Sequence, residues 1–295
     1  MRSKAMMYLT LFFGVFCLST SAIFVKLADA PSGITAFYRL FFTALMLLPA
    51  LILSRDNRAA LRQITGRQAA QIVAAGFLLA VHYVLWFESL SFTSVASSTV
   101  IVTLQPLFSI IWGYFFLGER YSKKALLGCL IAIGGCMIIG WGDMKVSGKA
   151  LIGDLMAFAA AGVISGYFFI GQKVRAHIPV VPYSVAGFLS SAFFLALYSL
   201  ACGSSFTGYS RSTWLAFLGI ALIATIFGQF LFNVLLKWLP ATFITMSILG
   251  ESVGTCILAY FILHEAISLR QGVGIIVILG GLLLFFLQQN QKSKS

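Results

Sequence analysis

The chain has 295 residues, of which 60% are hydrophobic and only 9% charged. A water-soluble domain of that composition would expose far more apolar surface than water tolerates, so the medium around most of the chain is lipid. The formal net charge of +12 comes from Lys and Arg scattered singly through short connections, never gathered into one dense face, which excludes a nucleic-acid partner.

Long apolar segments predict ten membrane-spanning helices, at about 6–28, 33–53, 69–91, 94–117, 125–142, 151–172, 181–202, 213–236, 240–263 and 271–288. Each is long enough to cross a hydrocarbon core about 30 Å thick. Their continuous apolar character excludes a β-barrel, whose strands alternate. The first segment reads as a helix and not as a cleaved signal, because its apolar part is long and nothing after it resembles a soluble domain. The connections are too short for a separate catalytic or binding domain, so the function is expected within the bilayer. Placing both termini in the cytoplasm puts most basic residues there, among them Arg2, Arg55, Arg58, Arg62, Arg67, Arg120, Lys123, Lys124, Lys173, Arg175, Lys237 and Lys294. Lys26, Lys145, Lys149, Arg211 and Arg270 fall on the opposite side, as the positive-inside rule prescribes for an inner membrane.

In chain order, span one carries Ser19, Thr20 and Ser21 and ends at Lys26; span two contains Arg39; span three carries His82, Tyr83, Trp86 and Glu88. His82 and Trp86 are four apart and share a helix face, which can stack a planar solute or simply pack. Lys26, Arg39 and Glu88 are expected at one depth near the outer ends of their spans, where they pair as an external gate or snorkel to the interface. Tyr167 in span six is a further candidate cavity aromatic. Gln229 and Asn233 in span eight are also four apart and serve either as amide ligands or as interhelical glue. Glu251 sits near the centre of span nine, where inserting an acid costs of order 3 kcal/mol. It therefore faces a wet cavity, binding a substrate ammonium or a proton, or it is a protonated acid bonded between helices. The five cysteines have no metal-ligand spacing, and neither a catalytic triad nor a nucleotide loop is present, so no metal site and no cofactor are expected.

A repeat organises these elements. The string Tyr114-Phe115-x-Leu117-x-Glu119-x-x-Ser122, followed by Gly128 and Gly134-Gly135, recurs 146 residues later as Tyr260-Phe261-x-Leu263-x-Glu265-x-x-Ser268, Gly274 and Gly280-Gly281. Each half, 1–146 and 147–295, then holds five spans. An odd number makes the second half enter the membrane from the opposite side, which is the construction of many alternating-access carriers. The same offset pairs His82 with Gly228, Tyr83 with Gln229 and Trp86 with Phe232, which predicts a chemically asymmetric cavity. The glycines of spans five and ten are expected to pack closely, within the fold or between protomers. Glu119 and Glu265 are expected to play equivalent structural roles.

Lys26 at the end of span one, Phe37-Tyr38-Arg39 opening span two, Gln105-Pro106 in span four, Leu117 to Glu119 and the duplicated string together resemble the drug/metabolite transporter superfamily, and within it the ten-helix EamA-type bacterial exporters. The resemblance covers nearly the whole chain; span nine departs from it in one respect, since the family's acidic-proline pair reads Glu251-Ser252 there. It implies an all-α integral membrane fold of two inverted five-helix repeats and export of amino acids or related metabolites, for some members aromatic ones. The partners it implies are a small-molecule substrate, membrane lipid, protons if transport is coupled, and a second copy if the protein dimerises. A carrier of another metabolite or drug class, an intramembrane enzyme built on His82 and Glu251, and a channel are the competing readings.

Overall fold

The computed structural model describes residues 4–93, 95–140, 148–262 and 267–292. Leu263, Glu265, Arg2, Lys145 and Lys294 of the sequence argument lie outside them. Every regular element among the described residues is helical, as it must be where lipid offers the backbone no hydrogen-bond partners. Nine of these helices are long and apolar enough to cross a membrane. Large apolar side chains such as Phe115, Leu53 and Ile276 lie on the outside, facing what must be hydrocarbon.

Several spans are broken. Span one is α1 (Lys4–Leu18) followed by α2 (Ser21–Leu27). At the break the Ser19 hydroxyl donates to the Val15 carbonyl at 2.9 Å and to the Glu251 carbonyl at 3.2 Å, while the Thr20 hydroxyl donates to Cys17 at 2.7 Å. The chain continues through α3 (Ser32–Leu53), the short surface helix α4 (Arg55–Arg62) and α5 (Gly66–Phe92), whose start carries a capping box of Thr65 and Gln68. Span four divides into α6 (Val95–Val102) and α7 (Gln105–Leu117), with Pro106 in the first turn of α7, where its missing N–H costs nothing. Gly118, at φ 66°, ends α7 in a left-handed turn.

The second half follows α8 (Lys123–Gly140) with α9 (Lys149–Arg175), α10 (Val180–Ala201) and α11 (Arg211–Gly219). A π-helical stretch, Ile220–Phe230, then leads into α12 (Leu231–Leu235). Span nine divides into α13 (Ala241–Ile248) and α14 (Glu251–Ile262), and α15 (Leu269–Lys292) closes the chain. The break before Glu251 falls 146 residues after the break before Gln105, so the two halves interrupt the same helix at the same place.

The glycines of α8 and α15 pack within the fold. A Cβ on Gly128 would lie 2.8 Å from the Gly281 carbonyl oxygen, and one on Gly135 would lie 2.8 Å from that of Gly274. Numbering rises along one helix as it falls along the other, so these equivalent helices run antiparallel and one half is inverted relative to the other. Gly134 and Gly280 face open space and take no part in the seam. At the end of α7 the Glu119 carboxylate joins the halves: it accepts from Tyr121, from the Thr242 hydroxyl at 3.2 Å and from the Gln172 amide at 3.5 Å. Gln172 in turn accepts from the Ala241 N–H at 2.6 Å.

Overpacking a close seam costs about 1–3 kcal/mol. Gly281→Val is therefore expected to lower the unfolding temperature of the purified protein clearly. Gly280→Val should leave it essentially unchanged, and thermal unfolding in detergent compares the two.

Candidate functional site

The three broken spans meet at one cavity. Leu18 closes α1, Val102 closes α6, Gln105 opens α7, Ile248 closes α13 and Glu251 opens α14, and all five line it together with Arg39, His82, Tyr83, Trp86, Ile164, Phe168 and Gln229. Four pairs of these residues are separated by the repeat offset: Leu18 with Ile164, Tyr83 with Gln229, Val102 with Ile248, and Gln105 with Glu251. The cavity thus lies on the pseudo-twofold axis relating the halves. It encloses ≈ 20 Å³ in this conformation, room for about one water, so a metabolite enters only when the walls separate.

Helix breaks give this site its polarity. Gln105 and Glu251, which open α7 and α14, line the cavity, so the positive ends of both helix dipoles face it. The π-helical stretch places Gln229 in the wall and Thr225 beneath Arg39; the Thr225 hydroxyl donates to the Ile220 carbonyl, five residues back, at 2.9 Å. Arg39 is completely buried. Its Nε donates to the Thr225 hydroxyl at 2.9 Å, one terminal nitrogen donates to the Ser21 hydroxyl at 2.7 Å, and the guanidinium carbon lies 4.4 Å from the centre of the Tyr83 ring.

His82 Nδ1 lies 3.0 Å from the Ala160 carbonyl oxygen. A carbonyl only accepts, so Nδ1 carries hydrogen. The imidazole stacks on Trp86, with ring centres 5.8 Å apart. Five lining side chains hold a buried polar atom with no partner: the second terminal nitrogen of Arg39, Trp86 Nε1, Gln105 Oε1, Gln229 Nε2 and Glu251 Oε1. Buried polar groups are nearly always paired, so a cluster of exceptions around one space is a candidate position for water or a polar ligand.

The structure brings together His82, Tyr83, Trp86, Gln229 and Glu251. Two predicted lining residues are turned elsewhere. The Tyr167 hydroxyl donates to Asn233 Oδ1 at 2.9 Å, Asn233 Nδ2 donates to the Ser184 hydroxyl at 3.2 Å, and Arg175 Nε donates to the Asn233 carbonyl at 2.9 Å. These four side chains tie α9, α10 and α12 together, while the neighbouring Phe168 faces the cavity. The expected grouping of Lys26, Arg39 and Glu88 does not form. Lys26 is exposed, Glu88 accepts from the Tyr198 hydroxyl at 3.5 Å, and Arg39 sits deep in the protein because hydroxyls and an aromatic face accept it there. Gln105 and Phe168 went unrecognised as lining residues. The repeat offset from Glu251 points directly at Gln105; nothing in the sequence distinguishes Phe168 from Tyr167. Among the described residues no three of His, Cys, Asp and Glu are grouped to hold a metal ion.

The chain belongs to the EamA-like transporter family, whose model matches residues 5–141 and again 151–287. It is similar to the Bacillus subtilis (strain 168) protein named uncharacterized transporter YetK, at 27% identity over 206 residues, 68% of this chain and 62% of that protein. It is also similar to the Escherichia coli (strain K12) protein named probable amino-acid metabolite efflux pump, at 25% identity over 204 residues, 63% of this chain and 65% of that protein. The matched region spans just under two thirds of both relatives. A solved crystal structure superposes with a TM-score of 0.79 at 20% identity, covering 97% of this chain and 98% of the other. The protein is thus a multi-pass membrane protein of a transporter family.

Replacing Asn233 by Leu leaves the buried Tyr167 and Ser184 hydroxyls without their partner and is expected to cost about 1–3 kcal/mol. Gln229→Leu removes an amide nitrogen that already lacks a partner, so its unfolding temperature should equal or exceed that of the parent protein.

Proposed function

We propose that the protein is a secondary carrier in the plasma membrane that exports amino acids or related small metabolites by alternating access. The observation that carries this reading is the central cavity, lined by equivalent positions of two inverted halves and ringed by unpartnered polar atoms. Discontinuous helices whose half-helix ends face a midplane site are what a carrier requires to bind a polar solute in lipid. The relative named as an amino-acid metabolite efflux pump supports the substrate class.

In this reading α8 is the tenth span, residues 1–146 and 147–295 are the two moving halves, and both termini are cytoplasmic. Arg39, His82, Trp86, Gln229 and Glu251 contact the solute, with Tyr83 behind them, while Asn233 and Tyr167 hold the wall in shape. The Glu119 network closes the cytoplasmic side in this conformation. Lys26 and Glu88 lie toward the outer side, where the cavity opens in the other half of the cycle.

Two experiments test the proposal. Single cysteines at Gln63 and Thr207 in a cysteine-free background should be labelled by an impermeant reagent only from inside and only from outside, respectively; the reverse pattern overturns the orientation. Proteoliposomes loaded with aromatic, branched or small neutral amino acids should show saturable counterflow of the labelled amino acid, which a channel does not produce. Faster flux with an imposed pH gradient assigns proton coupling to Glu251 or His82, and equal flux assigns facilitated exchange. No flux of any amino acid through folded protein overturns the substrate class.

A further inference from the structure

The cavity holds one basic and one acidic side chain, and they are not hydrogen-bonded to each other. Arg39 spends two of its three nitrogens on Thr225 and Ser21 and leaves the third unpartnered; Glu251 leaves Oε1 unpartnered in the same cavity, within electrostatic reach of the guanidinium. Both residues are at least 97% buried. Leaving a buried base and a buried acid without partners in a low-dielectric space is costly, unless a third party of matching chemistry is meant to lie between them.

Both residues also stand at places where the cavity departs from its twofold symmetry. The counterpart of Arg39 is Val185, and the counterpart of Glu251 is Gln105. Arg39 belongs to the first half and Glu251 to the second. A ligand that satisfies both must carry an anionic group toward the first half and a cationic group toward the second.

Resting on the carrier reading above, we propose that the cavity binds a zwitterion by both ends: Arg39 takes the carboxylate and Glu251 the ammonium. The planar fork of the guanidinium suits a carboxylate. The apolar remainder of the ligand lies against the stacked His82 and Trp86 rings. Because its ends are held by different halves, a bound zwitterion draws the halves together, whereas a solute with one charge satisfies only one of them.

The test uses phenylalanine, leucine and serine, each beside its amide, which lacks the carboxylate, and its N-acetyl derivative, which lacks the ammonium. Thermal stabilisation of the purified full chain is the readout. At least one free amino acid should stabilise the protein, and blocking either end should weaken binding by about tenfold or more, as loss of a charged buried hydrogen bond does. In Arg39→Gln the penalty for the amide should vanish while that for the N-acetyl derivative persists, and Glu251→Gln should show the converse. The comparison of derivatives on the unmutated protein stands even if a variant fails to fold. Equal binding of free and blocked forms, or no stabilisation by any of the three amino acids, overturns the proposal and leaves Arg39 and Glu251 with a structural role. Saturable counterflow of an uncharged or singly charged solute would then show that the carrier reading survives without it.

Discussion

A backbone that leaves the helix inside a bilayer must find its hydrogen bonds within the protein, since lipid supplies none. Every feature of functional interest in this chain follows from where that demand is met. Spans one, four and nine all break beside the same cavity, and the hydroxyls of Ser19, Thr20 and Thr103 satisfy carbonyls close to the breaks. Breaks of this kind are tolerated only where the freed groups face protein or a polar space, and here they surround a cavity lined by both inverted halves.

That meeting place combines symmetry of construction with asymmetry of chemistry. The lining positions come in counterpart pairs, so the cavity arises from duplication of one half-site. Yet the paired residues differ: an aromatic ring faces an amide at Tyr83 and Gln229, and an amide faces an acid at Gln105 and Glu251. Arg39, Trp86 and His82 have no polar counterpart. The scaffold supplies a hinge with equal arms, and the side chains give it a direction.

Much of this is visible in the sequence, for definite physical reasons. Lipid imposes a minimum apolar length, so the spans announce themselves, and the preserved spacing from Tyr114 to Gly135 and from Tyr260 to Gly281 exposes the duplication. Glu251 and the His82–Trp86 face stand out because polar groups are costly at that depth. Hydropathy does not register backbone direction, so the breaks in spans one and nine, which contain no proline, and the π-helical turn of span eight are silent. Helical periodicity states which residues share a face without saying which face turns inward; Tyr167 and Phe168 exchange roles for that reason. Arg39 looks like a snorkelling residue near the outer end of its span. Its deep seat depends on Ser21 and Thr225, partners 18 and 186 residues away in the chain.

The glycine seam between α8 and α15 is self-complementary. Gly128 meets Gly281, the counterpart of Gly135, while Gly135 meets Gly274, the counterpart of Gly128. In an assembly of identical subunits this would be called an isologous contact. A single five-helix half therefore carries both sides of its own joint, and two such halves inserted in opposite senses could close it without a linker. In an assembly of identical copies, however, any change at the binding site appears twice. Joining the copies into one chain removes that restriction, and the acid of Glu251 opposite the amide of Gln105 is a difference that only a fused protein can hold.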